Sequence, residues 1–359
     1  MRCDIAIVGG GMAGASLAAE LAAHAEVTVL EREDRPGYHA TGRSAAFWTE
    51  SYGGPAVQPL TTASGPFLRE HALLSERGAL TIARRGQEAE LARFAADLAA
   101  AGVRVDTLER EDLLTRIPGL RADWTLGALE PDCSDIDVAA LHALYLKLAR
   151  SHGAEVLCRA ELTDATWSGN DWHLRLGDGR ELTAKVLVDA AGAWADPVAR
   201  LAGVRPLGIT PYRRTVAQLC TTPAPPSDLP LVLDLGEQFY FKPESGRLWL
   251  SPHDETLSAP CDAAAEELDV ALAIDRLGDV VDWQVERVEH RWAGLRSFAR
   301  DRLPVYGFAP DHPGFFWFAG QGGFGIQTAP AAAVLAADLL LGRAGGVVDP
   351  TPYLAARFG

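Results

Sequence analysis

The chain opens on an unbroken apolar run, Ile5-Ala6-Ile7-Val8, followed at once by the turn Gly9-Gly10-Gly11-Met12-Ala13-Gly14. A run without polar alternation fits a strand buried on both faces. Residues 15–23 are rich in alanine and leucine and predict a helix, and Val27-Thr28-Val29-Leu30 predicts a second strand ending at Glu31. Strand, helix and strand within about thirty residues form one βαβ unit, so the sheet should be parallel and doubly wound.

A polar, glycine-bearing loop covers residues 33–44, and the clearest helices beyond it are 88–101 and 136–151, the latter leading into Glu155-Val156-Leu157-Cys158. Around 167–188 the pattern alternates, with a hairpin turn at Gly177-Asp178-Gly179, and the strand Leu187-Val188-Asp189-Ala190 breaks at Gly192. Strand-like runs dominate 211–298, among them Gln238-Phe239-Tyr240-Phe241 and Arg247-Leu248-Trp249-Leu250. The last segment returns to α/β character: a strand at Phe315-Phe316-Trp317-Phe318-Ala319, a glycine-rich turn and a helix over 328–341. This interleaving predicts a discontinuous nucleotide-binding domain of residues 1–46, 133–210 and 299–359, carrying a β-rich substrate domain of residues 47–132 and 211–298.

Composition narrows the partners. Acidic residues outnumber basic ones 48 to 33, a net charge of −15, and the lysines are Lys147, Lys185 and Lys242 alone. Nucleic acid and anionic lipid surfaces need clustered basic residues, so neither is expected. Cys3, Cys133, Cys158, Cys220 and Cys261 are scattered and form no CxxC pair. Neither a disulfide framework nor a metal site is expected, and idle thiols point to a reducing compartment. The longest apolar stretch, 329–341, is interrupted by Asp338 and is too short to cross a bilayer; with a strand starting at once, a cytoplasmic protein with no transmembrane segment is expected.

The chemistry begins at Gly9-x-Gly11-x-x-Gly14. The first glycine permits the tight turn, the second lets the backbone approach a pyrophosphate, and the third lets helix and strand pack closely. Met12 and Ala13 lie in the same turn, at the helix N-terminus where the phosphate would sit. Glu31 ends the next strand, placed to bind both ribose hydroxyls, and argues against a 2′-phosphate; Arg32 reads as a solvated neighbour at the rim of this site. A second glycine-rich turn, Gly320-Gln321-Gly322-Gly323-Phe324-Gly325-Ile326-Gln327-Thr328, precedes the last helix. The dipole and free N–H groups there suit negative charge on a reduced isoalloxazine, which a nicotinamide enzyme does not need. FAD is the expected cofactor.

Five motifs in this order, Gly9 to Gly14 with Glu31, the loop Gly37-Tyr38-His39-Ala40-Thr41-Gly42-Arg43-Ser44-Ala45-Ala46, Asp189-Ala190-Ala191-Gly192-Ala193-Trp194, Trp292-Ala293-Gly294-Leu295-Arg296-Ser297-Phe298, and the turn at 320–328, resemble the D-amino acid oxidase-like flavoprotein family over nearly the whole chain. The likeness is to its bacterial D-arginine and D-amino acid dehydrogenase branch. It implies a Rossmann-like FAD domain and a substrate domain on an antiparallel sheet, with the flavin ring between them. Thr41, Arg43, Ser44, Ala45 and Ala46 would contact the cofactor, Arg43 and Ser44 beside its phosphates and ribityl chain. Ala191 and Gly192 would pass close to the adenosine half, Glu161 and Trp194 would also contact the cofactor, and Gly323, Phe324, Gly325, Ile326, Gln327 and Thr328 would lie against the flavin ring. No cysteine or histidine falls clearly at an attachment position, so the FAD should be non-covalent; His39 reads as a loop histidine.

A substrate carboxylate calls for a planar guanidinium that grips it bidentately. Arg296 is the first candidate and Arg214 the second, with Arg213 the alternative if the register slips by one. By the resemblance Tyr52 and Tyr240 close the site, while Gln327 and the carbonyl of Gly294 are candidates to orient the amine, Thr49 more weakly. The implied reaction is hydride loss from Cα to the flavin, giving an imino acid that hydrolyses to a 2-oxo acid and ammonia.

Departures from the branch bear on specificity. Ala79 stands where the D-arginine enzymes carry a glutamate for a cationic side chain, and Phe47 and Trp48 replace a histidine–tyrosine pair. A buried cation without a carboxylate is costly. A neutral, hydrophobic or aromatic D-amino acid is therefore expected, unless Glu50 points inward. The oxygen-activating lysine of sarcosine oxidase-like members is matched by Trp249, with Lys242 displaced, which favours a quinone or other acceptor over oxygen. Four alternatives remain open: a sarcosine- or glycine-type amine oxidase using oxygen, a 2-hydroxy acid dehydrogenase, a non-catalytic flavin-binding module, and a tailoring enzyme acting on a larger amino-acid-derived metabolite.

Overall fold

The computed structural model describes residues 1–344 and 346–359. Five strands run parallel in the order Glu155–Leu157, Val27–Leu30, Arg2–Val8, Glu181–Asp189, His312–Ala319, with Val305–Ala309 antiparallel at the edge. Side chains on successive strand positions face opposite ways, and two cores result. Ile5, Ile7, Phe316 and Phe318 pack under the helices Met12–Leu21, Val138–Ser151 and Ala329–Leu340. Ala6, Val8, Phe315 and Trp317 face the other way, with the helix Ala195–Leu201 and the hairpin of Leu162–Trp167 and Trp172–Leu176. Burial on both faces is why these strands lack polar alternation.

The strand Glu181–Asp189 splits its outer edge. Its first half pairs antiparallel with Trp172–Leu176 and its last three residues pair parallel with His312–Ala319, Leu187 opposite Phe315. The second sheet runs Thr256–Leu257, Thr210–Thr222, Arg247–Ser251, Tyr240–Glu244, Leu231–Asp234, Ala79–Arg84, Trp124–Glu130, Asp106–Glu109, with the long strand Gln284–Phe298 paired along Thr210–Thr222. It is antiparallel except where Leu231–Asp234 meets Ala79–Arg84 in parallel. A small sheet of Phe47–Trp48, Ser134–Ile136 and Leu74–Glu76 lies beside these two.

Three elements differ from the sequence reading. The helix expected from residue 136 begins at Val138, because Ile136 ends a strand and the Asp137 carboxylate caps the helix by accepting from the Ala140 N–H at 2.8 Å. Glu267–Gly278 is a helix inside the segment read as strands; Val270, Ala273 and Leu277 bury one stripe of it on the second sheet. Gln58–Glu70 is helical despite Gly65 and Pro66, and its Leu60 and Leu68 join the core of the parallel sheet. Among the described residues no helix is long and apolar enough to cross a membrane.

Candidate active site

The first glycine turn has the geometry its spacing implies. Gly9 has φ +103°, and a Cβ there would lie 2.5 Å from the Ala190 carbonyl oxygen; a Cβ on Gly14 would lie 1.9 Å from that of Gly9. Gly11 begins the helix with no side-chain cap and no acid in its first turn. Met12 donates its N–H to Thr41 Oγ1 at 2.9 Å, while the N–H groups of Gly11 and Ala13 have no acceptor among the described residues. Unpaired donors at a helix N-terminus are an anion site. Glu31 is 7% exposed and accepts from the N–H groups of Gly10 and Glu33, at 3.0 and 2.9 Å, which fixes its carboxylate at the end of the turn.

From this turn a cavity of about 290 Å³ runs between the two sheets. Of the expected cofactor residues, Gly9, Gly11, Met12, Ala13, Glu31 and Arg32 line it, as do Thr41, Arg43 and Ser44. Glu161, Ala191, Gly192 and Trp194 also line it, as do Gly323, Gly325 and Ile326 from the second glycine turn. Arg32 does more than sit in solvent: its guanidinium lies 4.7 Å from the centroid of the Trp194 ring. Arg43 donates to the carbonyl of Ala263 at 2.7 Å and pairs with Asp262, to which Tyr38 also donates, so the loop bearing Asp262 is latched over the cavity.

Six expected cofactor residues do not line this cavity; Gly14 packs against Gly9, Gln327 faces a second space, and the other four lie elsewhere too. Ala45 and Ala46 line a second, smaller chamber, Phe324 packs into an apolar cluster with Val57 and Phe298, and Thr328 is fully buried with its hydroxyl on the Phe324 carbonyl. The last helix does not offer the free N–H groups expected of it. Those of Thr328, Ala329 and Ala331 are taken by Phe324 O, Ile326 O and Ser64 Oγ. The unpaired donors sit one turn earlier, on Gly323, Gly325 and Ile326, which line the cavity.

The smaller chamber, about 30 Å³, adjoins the cavity, and Ser44, Arg296, Gly323 and Ile326 line both spaces. Arg296 is 8% exposed and has no ion pair or hydrogen bond to its guanidinium among the described residues; burial, with Arg214 close by, pulls its pKa down. Arg214, 3% exposed, also faces the chamber, held by the Asp254 carbonyl at 2.7 Å and Glu255 at 3.3 Å. Arg213, its neighbour, does not line the chamber and pairs instead with Glu266 and Asp269. Gly294 lies opposite Arg214 in the sheet and lines the large cavity; a Cβ there would meet Arg296 Nη1 at 2.9 Å. Its contribution is the room it leaves for that guanidinium.

Tyr52 and Tyr240 form the aromatic wall with Phe47, whose ring lies 6.0 and 6.1 Å from theirs. Gln327, 2% exposed, lines the chamber with its amide already hydrogen-bonded to the protein. Its Oε1 accepts from the Thr49 N–H at 3.3 Å, and its Nε2 donates to Tyr52 O at 3.2 Å and Thr61 Oγ1 at 2.9 Å. Thr49 is likewise engaged: its hydroxyl donates to the buried Glu130 at 2.6 Å, and Glu130 also accepts the Glu50 N–H at 2.7 Å. Gln327 and Glu130 thus hold the loop that carries Tyr52, and burial pushes the Glu130 carboxyl up. Glu50 turns outward to Thr62, Ala79 lies in an apolar cluster, and Lys242 is tied to Asp135 at 2.7 Å, lining neither space.

The sequence reading missed His253, which lines the chamber beside Tyr240, ring centroids 5.7 Å apart. No local pattern marks it, because a left-handed turn after Arg247–Ser251, φ +54° at His253 itself, aims it inward.

A glycine turn with an acidic strand end, a long cavity between a parallel and a largely antiparallel sheet, and a charged chamber adjoining it define a dinucleotide-binding oxidoreductase. Residues 4–339 match the FAD dependent oxidoreductase family, DAO, and the chain belongs to it. Hydrogen cyanide synthase subunit HcnC of Pseudomonas aeruginosa is 25% identical over 408 residues, covering 99% of this chain and 96% of that protein. The crystal structure of glycine oxidase from Geobacillus kaustophilus superposes with a TM-score of 0.86 at 26% identity over 99% of both chains. L-alpha-glycerophosphate oxidase from Mycoplasma pneumoniae, with FAD bound, shares the fold at a TM-score of 0.87 and 17% identity, over 95% of each chain. FAD is the cofactor, and the unpaired donors along the cavity fit it: the N–H groups of Gly11 and Ala13 would hold its phosphates and those of Gly323, Gly325 and Ile326 would serve its ring.

Proposed function

We propose that the protein oxidises a small, neutral D-amino acid to the imino acid, which hydrolyses to the 2-oxo acid and ammonia. The observation that carries this reading is Arg296: a buried guanidinium without an anionic partner, on the wall common to the cofactor cavity and the small chamber. An uncompensated buried charge is expensive, and a substrate carboxylate gripped by Arg296 and Arg214 supplies the missing partner. Tyr52 and Tyr240 donate from above and exclude water. FAD in the cavity would supply the acceptor for the hydride lost at Cα. It is held without a covalent bond.

The chamber walls Ala45, Ala46, Phe47, Leu233 and Ile326 are apolar, and Glu50 and Glu130 are turned to other partners, which supports a neutral side chain. A single water needs roughly 10–15 Å³ on this measure, so a chamber of about 30 Å³ favours a short side chain over the aromatic ones. Preference for the D-form rests on the likeness to the D-arginine and D-amino acid dehydrogenase branch. Sequestration of Lys242 by Asp135 supports a quinone or other non-oxygen acceptor. The glycine oxidase neighbour keeps an oxygen-using amine oxidase as the rival. The test is product analysis: D-alanine with a quinone should yield pyruvate and ammonia in equal amounts, at least tenfold faster than L-alanine. Faster turnover with oxygen, or with sarcosine, would replace this reading.

A further inference from the structure

Among the described residues lining the chamber, His253 is the one whose side chain keeps a nitrogen lone pair free to take a proton. Its backbone N–H donates to Ser251 Oγ at 3.1 Å, and Nδ1 lies 2.8 Å from the Glu237 carbonyl oxygen. A carbonyl only accepts, so Nδ1 carries the ring proton and Nε2 keeps its lone pair. The other polar residues of the chamber offer no base: Arg214 and Arg296 are cations, Tyr52 and Tyr240 are phenols, and Gln327 is an amide already engaged. Nearby carboxylates are occupied too, Asp254 by the N–H and hydroxyl of Thr215 at 2.7 and 3.0 Å, Glu255 by Arg214 and Arg302.

We propose that His253 Nε2 takes the proton that the substrate's α-ammonium must lose before Cα can be oxidised, and that docking of the carboxylate on Arg296 triggers the transfer. This rests on the amino-acid reading above. One N–H bond of the ammonium breaks, its electron pair stays on nitrogen, and the proton forms the imidazolium of His253. The two-electron oxidation that follows is the cofactor's, and the nitrogen lone pair then forms the C=N bond.

Electrostatics supply the trigger. Burial and the charge of Arg214, with a smaller push from Arg296, bring the His253 ring down to about 4, against upward pulls from its hydrogen bond to the Glu237 carbonyl and from Glu255. A carboxylate seated on Arg296 offsets that positive field and returns the ring towards its ordinary value. The ammonium, brought out of water beside two guanidiniums, moves the opposite way. Proton transfer is most effective when the two affinities converge.

Two measurements test this on the FAD-loaded enzyme. Propionate, which is alanine without its amine, should bind with proton uptake near pH 5.5, read by calorimetry in buffers of different ionisation enthalpy. The uptake should be a readily measured fraction of one proton, because the free ring is almost wholly unprotonated at that pH. His253→Asn should bind propionate without it. In the second, kcat/KM for D-alanine should fall about 100-fold in His253→Asn and then rise with pH as free amine becomes available. Propionate binding without proton uptake in the unaltered enzyme overturns the proposal and leaves the carboxylate site standing. Failure of propionate to bind at all overturns the amino-acid reading with it.

Discussion

Replacing Arg296 with leucine separates two costs that usually rise together. The guanidinium is 8% exposed and meets no carboxylate, so in the free enzyme it is a desolvated charge held against its own interest. Leucine removes that penalty and fills an apolar-walled space, so Tm should hold or rise. The substrate loses two charge-assisted hydrogen bonds, each worth about 1.5–3 kcal/mol, or about 3–6 kcal/mol together. At 1.4 kcal/mol per decade that is about 10²–10⁴ in kcat/KM, the lower end applying because Arg214 still faces the chamber. Arg296→Lys keeps the charge and loses the fork, and should fall between leucine and the unaltered enzyme. Anaerobic stopped-flow reduction by D-alanine gives the rates, and thermal melts give stability. A kcat/KM within about threefold of normal, or a large drop in Tm, would refute the assignment of Arg296 to the substrate.

Gly323→Ala puts a Cβ 1.9 Å from the Tyr52 hydroxyl; displacing that ring should cost at least about tenfold in kcat/KM while the ratio of flavin to protein absorbance stays normal. Gln327→Leu removes three hydrogen bonds to the loop of Thr49 and Tyr52; at about 1 kcal/mol each, stability should fall by about 2–3 kcal/mol in urea melts and KM should rise. His253 has a folded-state value of about 4, below that of the unfolded chain, so the unfolded state binds its proton first. Stability is therefore intact above about pH 6.5 and is lost as pH falls to about 4, by up to about 3 kcal/mol. His253→Asn should flatten that part of the stability–pH curve.

Local signals were legible where one stretch of chain does the work. Gly9, Gly11, Gly14 and Glu31 declare themselves by spacing within residues 5–31, though Thr41 and Ala190, which close on the turn from elsewhere, do not. The run of Phe315 to Ala319 is legible as a strand, though not that alternate rings serve two cores. What spacing does not reveal is where a side chain's hydrogen bonds go. Gln327 sits in a recognisable motif, yet its amide is consumed by Thr49, Tyr52 and Thr61, all far away in sequence. Phe324 and Thr328 belong to the same motif and turn into the core. The helix Glu267–Gly278 carries a readable stripe at Val270, Ala273 and Leu277, but short apolar runs on either side mask it as strand. His253 depends on a left-handed backbone turn and on Glu237 accepting from its ring, neither of which leaves a mark in the surrounding residues.

The most direct test of the central claim is anaerobic titration of the FAD-loaded enzyme with D- and L-alanine, following the oxidised flavin band at about 450 nm. Bleaching by D-alanine, with the L-form at least about tenfold slower and D-phenylalanine slower still, is the predicted result. A flavin that no amino acid reduces, or one that D-lactate or sarcosine reduces faster, would contradict the account.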